Sequence, residues 1–351
     1  MGKRKRTLKK ATRLGGEIKT LPSHKKIART KQYKLSIYLT VQEYHEKRQF
    51  PIDWMCSVFE ISRSAYYKWL NRLPSLREVE NQAILECILD IHTQYRGLYG
   101  SYRMMIIVNN RFNKRYNHKR IERIMSVNNI HSAFRKKKRS SYRKSTPEQT
   151  SENILNRDFS ASKPNEKWLT DITEVKVPGS SKKQYLSSII DLYDNQIIAY
   201  EVSDRNNANL VNTTLQKGVK QQVEATPILH SDRGFQYTRK PFKHWLDELG
   251  IIQSMSRVSK CIDNGPMESF QGILKDEMFI LYDIKTIEDF KKHLPNYIHF
   301  YNHERPQRRL KGQTPNQVRE AALTTAFPNN YPTPTNYRIN KYWQDIQTKS
   351  V

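Results

Sequence analysis

Three acidic residues, each in a different kind of local sequence, constrain what this chain can fold into: Asp171, Asp232 and Glu268. Asp171 ends an apolar-flanked approach within Lys167-Trp-Leu-Thr-Asp-Ile-Thr-Glu-Val-Lys-Val177, which reads as a strand. Asp232 follows a second short strand in Pro227-Ile-Leu-His-Ser-Asp-Arg-Gly-Phe-Gln-Tyr237. Glu268 sits early in a helical stretch, Pro266-Met-Glu-Ser-Phe-Gln-Gly-Ile-Leu-Lys275, with 35 residues between it and Asp232. Any three of the 34 Asp and Glu could be singled out, and a lone Asp at a strand end is more often a cap or turn residue. The context of all three is what separates them from the rest. Mg²⁺ is a hard cation that prefers carboxylate oxygens and substrate phosphates. Two such ions held by shared carboxylates serve phosphodiester chemistry, so the set points to cutting or joining nucleic acid.

The surrounding elements allow the three to meet. From about Pro164 the pattern turns to strands, at Trp168 to Val177, Gln184 to Asp191 and Gln196 to Val202, the last two joined at the turn pair Asp194-Asn195. Asn207 to Val223 reads as a helix, Pro227 to His230 as a short buried strand, Lys240 to Leu249 as a helix and Ile251 to Met255 as a further strand. Three strands followed by helices alternating with short strands is the order an RNase H-like α/β fold requires. In that fold the first carboxylate lies mid-sheet, the second ends a neighbouring strand and the third projects from a helix across them. Glu174, Asp191, Asp194 and Asp263 read as turn, capping or orienting groups, and Asp263-Asn264 as an N-cap for the Glu268 helix. Arg233, Gln236 and Tyr237 flank Asp232 and would hold its loop or the DNA strand.

A formal net charge of +27, from 61 Lys and Arg against 34 Asp and Glu, implies a polyanionic partner. Three cysteines without a CxxC pair give neither a disulfide framework nor a thiolate zinc site. The ten histidines lack paired ligand spacing. No apolar run reaches membrane-spanning length, so a bacterial cytoplasmic, nucleoid-associated protein is expected, with no membrane partner.

Residues 1–34 carry thirteen Lys or Arg and one acid, Glu17, and read as a flexible basic arm for the DNA backbone. Residues 35–72 read as a helix-turn-helix-like segment. Ile52, Met55, Cys56 and Phe59 recur at helical spacing, and Ser62 N-caps Arg63-Ser-Ala-Tyr-Tyr-Lys-Trp-Leu70. Arg63, Ser64 and Lys68 would face DNA, with Ala65 and Trp69 packed inward. Residues 77–138 form a further helical block. Val79, Ala83, Ile84, Cys87, Ile88 and Ile91 make one apolar face, Tyr99-Gly-Ser-Tyr-Arg103 a turn, and Asn117 to Met125 the start of another helix. Residues 139–163 are polar and basic, a linker; 164–322 hold the catalytic core and 323–351 a tail.

Thr170-Asp-Ile-Thr173, His230-Ser-Asp-Arg-Gly234 and Asp263-Asn-Gly-Pro-Met-Glu-Ser-Phe270 resemble the three catalytic blocks of IS3-family insertion-sequence transposases. Tyr301-Asn-His-Glu-Arg-Pro306 and Lys311-Gly-Gln-Thr-Pro315 are similar to that family's C-terminal signature. Ile61 to Leu70 resembles the start of its second-frame product, and the spacing from Asp232 through Glu268 to Lys275 is similar to that of retroviral integrases. The resemblance implies an α/β RNase H-like, integrase-type core behind N-terminal all-α DNA-binding regions. It implies a DDE transposase in which Asp171, Asp232 and Glu268 hold two Mg²⁺ ions, with Mn²⁺ as substitute. Water attack at an element end would free a 3′-hydroxyl, which then attacks a second phosphodiester. Lys275 would clamp a DNA phosphate, Asn264 would lie beside the site, and Arg103, His118, Lys119 and Arg123 would contact the element's DNA ends, joined by Arg233 near Asp232. The partners implied are double-stranded DNA, as terminal repeats and target, and further copies of the chain on that DNA. The family's active enzyme is often a fusion of two frames, so an upstream-frame partner is a further expectation. Met255 to Ile262 departs from the family's Ser-Arg-Lys-Gly pattern at Val258 and Ser259. A DNA-binding regulator or inhibitor of transposition without catalysis is the alternative from a different class, and a stand-alone RNase H-type nuclease a third; the intact triad opposes the first and the N-terminal helices the second.

Overall fold

The structure is a computed structural model that describes residues 26–133, 154–155, 158–256, 264–332, 341 and 344. The chain divides into two compact units, residues 1–82 and 83–351.

In the first unit, α1 spans Lys26–Arg48, α2 Ile52–Val58 and α3 Arg63–Leu70. The expected flexible arm is thus helical from Lys26, where no Gly or Pro interrupts the run to Arg48; residues 1–25 lie outside the described residues. Ile37 and Val41, one turn apart on α1, pack with Met55, Cys56 and Tyr66. Ser62 caps α3, its side chain accepting from Ala65 N–H at 3.4 Å, after a turn in which Glu60 takes the left-handed conformation (φ 54°). The inward face of α3 differs from the expected one. Ala65 is exposed and Tyr66 is buried, its ring 5.9 Å from those of both Tyr38 and Trp69. Tyr66 and Trp69 stand three apart, on one face, and the larger apolar side chain takes the interior. Arg63, Ser64 and Lys68 remain exposed, with Arg63 paired to Asp53 at 2.9 Å.

Helix α4 spans Leu76–Gln94, α5 Ser101–Phe112 and α6 His118–Val127. Helix α6 lies where the sequence suggests a helix, and Asn117 caps it, its side chain accepting from the Lys119 N–H. The expected turn at Tyr99–Arg103 is instead the entry to α5, a helix the sequence reading did not separate: Gly100 N-caps it, and Met104 and Val108 are fully buried. Val79 is exposed, whereas Ile84, Ile88 and Ile91 are buried. Their core extends beyond these helices. It is continuous with the buried face of the catalytic region, where Phe300 meets Tyr95 and Tyr99.

The catalytic region is a five-stranded sheet of order β3-β2-β1-β4-β5, with β1 Lys167–Lys176, β2 Lys183–Asp191, β3 Ile197–Ser203, β4 Ile228–Ser231 and β5 Ile252–Met255. β1, β2 and β3 pair antiparallel, while β4 and β5 join parallel. That mixture is the RNase H-like arrangement, and every expected strand is present within one residue or so of its expected ends. Helices α7 (Ala208–Gln221) and α8 (Lys240–Glu248) cover one face through Leu215, Phe242 and Leu246. On the other face lie α9 (Gly265–Leu281) and α10 (Ile287–His299), a π turn at Phe300–Glu304, and α11 (Pro315–Leu323). No helix among the described residues is long and apolar enough to cross a membrane. Residues 134–153, most of the expected linker, lie outside the described residues.

Two buried ion-pair networks hold this second layer. Arg305 donates from Nε and Nη2 to the two oxygens of Glu277 on α9, at 2.6 and 2.7 Å, and Tyr297 and Arg103 complete the carboxylate's shell. Arg319 on α11 reaches Asp191 at 2.5 Å and Asp194 at 2.7 Å, at the end of β2. The orienting role expected of Asp191 and Asp194 is therefore met by an arginine 125 residues further on. Removing one partner of a fully buried pair leaves the other charged and uncompensated. Arg305→Ala should accordingly lower stability by about 3–5 kcal/mol in a denaturant titration.

Candidate active site

The register of the parallel pair β1–β4 builds the site. Trp168 stands opposite Leu229 and Leu169 opposite His230, so Asp171 and Asp232, each two residues further on, come to the same level on neighbouring chains. Leu169 points to the layer that contains α9, and Asp171 shares its face by the two-residue period of the strand. Helix α9 crosses this face and presents residues at i, i+3 and i+7: Glu268, Gln271 and Lys275. Phe270, Leu274, Glu277 and Met278 turn into the core and fix the helix's rotation.

The two aspartates are oriented by specific donors. Asp171 Oδ1 accepts the Ile172 N–H at 2.8 Å and Oδ2 accepts Gln271 Nε2 at 3.1 Å. Asp232 Oδ1 accepts the Gly234 N–H at 2.9 Å. A Cβ at Gly234 would lie 3.0 Å from that oxygen and 2.7 Å from Gln236 Oε1, so a larger residue here would require both side chains to shift. The loop is pinned beyond that point. Gln236 bonds Asn206, Tyr237 meets Thr170 Oγ1 at 3.3 Å, and Arg233 Nε donates to Ser256 O at 2.5 Å.

The electrostatics bring the three acids together. Burial and then the Asp232 charge push Asp171 up to about 7, with Glu268 adding to the shift. Asp232 and Glu268 have exposed surface, yet the protein packed around each raises its carboxyl as well. The group is open: among the described residues no three His, Cys, Asp or Glu side chains are drawn tightly enough together to enclose an ion. Its donors are nonetheless all carboxylate oxygens under mutual repulsion, with the buried Asn264 Oδ1 beside β1 unpartnered among the described residues. That donor set suits a hard divalent cation.

The other predicted residues divide. Lys275 reaches the same face but donates to Thr173 Oγ1 at 2.6 Å. Asn264 occupies the N-cap position of α9 without capping it; it is buried and its Nδ2 donates to Thr170 O at 3.4 Å, a tether of the helix to β1. Arg103 is likewise drawn inward to Glu277, because that buried carboxylate attracts every cation within reach. His118 bonds Ser101 at 2.9 Å, while Lys119 and Arg123 stand exposed on α6. Asp263 and the variant positions Val258 and Ser259 lie outside the described residues. Gln271 was not foreseen; its only signal in the sequence is the i+3 spacing from Glu268.

Two segments match the family profile described as integrase core domain, at residues 161–261 and 268–323, and residues 79–138 match an HTH-like domain. The chain is 39% identical over 277 residues to InsK, assigned as transposase of insertion sequence element IS150 in Escherichia coli K12, covering 78% of this chain and 96% of that protein. It is 30% identical over 292 residues to the transposase InsF of insertion sequence IS3A from the same strain, with 82% and 99% covered. This chain belongs to the IS3 family of insertion-sequence transposases. It is a DDE transposase, an enzyme that cuts and joins DNA. Among solved structures it is similar to the catalytic core domain of HTLV-2 integrase, with 16% identity, a TM-score of 0.37, and 45% of this chain and 97% of that one covered. The HTH-like match falls on α4 to α6 of this transposase, and not on α1 to α3.

Two outcomes are expected. Because the Asp171 carboxyl is raised from 3.8 to about 7, the folded chain holds its proton longer than the unfolded chain, and stability falls as pH rises between those values. In divalent-free buffer Asp171→Asn should raise the melting temperature progressively from pH 4 to pH 7, with no gain below pH 4. Gln271→Leu frees Asp171 Oδ2 and should reduce divalent-cation affinity or strand cleavage about 10- to 100-fold while leaving the melting temperature close to that of the parent.

Proposed function

We propose that Asp171, Asp232 and Glu268 are the catalytic and metal-binding residues of this transposase, holding two Mg²⁺ ions for which Mn²⁺ can substitute. The observation that carries the assignment is the β1–β4 register, which sets Asp171 and Asp232 at one level although they lie 61 residues apart in sequence, with α9 crossing the same face and bearing Glu268; the repulsion that raises the Asp171 carboxyl agrees with it. When bound, the cations offset that repulsion, neutralise phosphate charge and activate the attacking oxygen. The chain's own part is positional. Gln271 and the Ile172 N–H orient Asp171, the Gly234 N–H orients Asp232, and α9 carries Glu268 to them. Together they place a phosphodiester so that an attacking and a leaving oxygen stand in line.

The substrates in this reading are the double-stranded terminal repeats of the element and then a target duplex. Water attack at an element end releases a 3′-hydroxyl, and that hydroxyl attacks the second phosphodiester. Lys119 and Arg123 on α6, and Arg63 and Lys68 on α3, are exposed cations suited to DNA phosphates. Lys275 and Arg233 supply positive charge at the rim of the site. Two element ends must be held at once, so the working form is an oligomer of this chain on DNA, joined where required by an upstream-frame partner. An integrase-type enzyme of this kind acts at the nucleoid.

The deciding experiment is a nicking and joining assay in Mg²⁺ on DNA flanking the gene. Discrete cleavage and joining are expected from the parent chain. Asp171→Asn, Asp232→Asn and Glu268→Gln should each bring activity to background with DNA binding retained. Near-normal strand transfer by any of the three would refute the assignment.

A further inference from the structure

Three residues beyond Asp232 along the chain stands a half-exposed aromatic residue. Phe235 occupies a turn closed by the Tyr237 N–H donating to Gly234 O at 2.9 Å. Residues on both sides are fixed. The Gly234 N–H is bonded to the Asp232 carboxylate, Gln236 is buried against Asn206, and Tyr237 is buried beneath Thr170. Between these anchors Phe235 keeps 49% of its surface exposed. A single exposed apolar side chain is ordinary on a protein surface. Here, however, the pinned turn leaves half of the side chain exposed, and three residues of chain keep its Cα within about 11 Å of that of Asp232. Phe235 is thus an apolar face fixed at the edge of a phosphodiester-processing centre.

Aromatic rings in such a position stack on nucleobases, and apolar side chains inserted at base steps unstack the duplex. The carboxylates act on a phosphate within paired DNA, and opening the adjoining base pairs would let that phosphate approach them. We infer that Phe235 is a substrate-binding residue that stacks on a nucleobase beside the scissile phosphate and holds the neighbouring base pairs open. The inference rests on the assignment of the Asp171, Asp232 and Glu268 centre. It adds a contact to the base, where the carboxylates and the basic residues address only phosphate.

The test uses the full chain and the DNA ends found by the joining assay, with 2-aminopurine in place of the base next to the cleaved bond. Fluorescence is read on binding without divalent cation, and single-turnover cleavage is read in Mg²⁺ on fully paired ends and on ends mismatched at those pairs. The parent and Phe235→Trp should both change the fluorescence on binding. Phe235→Ala should leave it unchanged and cleave paired ends about 5- to 150-fold more slowly, equivalent to about 1–3 kcal/mol of lost stacking, with mismatched ends restoring the rate. A merely structural role would slow both substrates alike. Equal slowing of the two, or full activity of Phe235→Ala on paired ends, would overturn the inference. Failure of the parent chain to cleave either substrate would instead overturn the assignment of the acidic centre, and the metal-free fluorescence would still decide whether Phe235 stacks.

Discussion

The parallel pairing of β1 with β4 is the constraint on which the rest of the site depends. It sets Leu169 against His230, and two residues later it delivers Asp171 and Asp232 side by side. Burial first, and then the repulsion of the neighbouring Asp232 carboxylate, raise the Asp171 carboxyl to about 7. Such an arrangement works against folding unless it serves a purpose. Its neighbours therefore spend their hydrogen bonds on it: Gln271, the Ile172 N–H and the Gly234 N–H each hold one carboxylate oxygen in place.

The helix that adds Glu268 is secured from the opposite side. Helix α9 buries Phe270, Leu274 and Met278 against the sheet, and Tyr301 meets Phe270 edge-on at 5.0 Å. Glu277, on the core side of the same helix, is gripped by Arg305. The π turn at Phe300–Glu304 sets these contacts in register, and Asn302 within it bonds both the N–H and the C=O of Ile197 on β3. The C-terminal block Tyr301-Asn-His-Glu-Arg-Pro306 thus acts as a clasp that joins the catalytic helix to the far side of the sheet. Arg103 extends the clasp to α5, so the helices matched by the HTH-like profile share one core with the catalytic sheet.

Much of the fold was legible because its signals are local. Strand periodicity, the Asp194-Asn195 turn and the side-chain cap at Ser62 each depend on a few adjacent residues, and each is found where the sequence puts it. Helix α5 was missed because Gly100 and Ser101 read equally as a turn and as a helix start. Ala65 was expected inside where Tyr66 is found, because helical spacing limits which residues share a face but does not choose among adjacent faces. Asn264 and Arg103 are polar residues whose type suits DNA, yet their partners, Thr170 O and Glu277, lie 94 and 174 residues away in sequence.

By itself the sequence determined the family and its class of chemistry, through short blocks, their spacing and a large excess of positive charge, and it singled out the three carboxylates proposed to carry that chemistry. Those properties are carried by residue identity and short-range order, and no packing is needed to read them. Only the tertiary structure decided which polar groups serve the site and which serve the fold. Whether an arginine meets a phosphate or a buried glutamate, and whether a glutamine on α9 turns toward Asp171, depends on strand register and helix rotation. Both are fixed by the burial of apolar side chains contributed from the whole catalytic unit, which no single stretch of sequence contains.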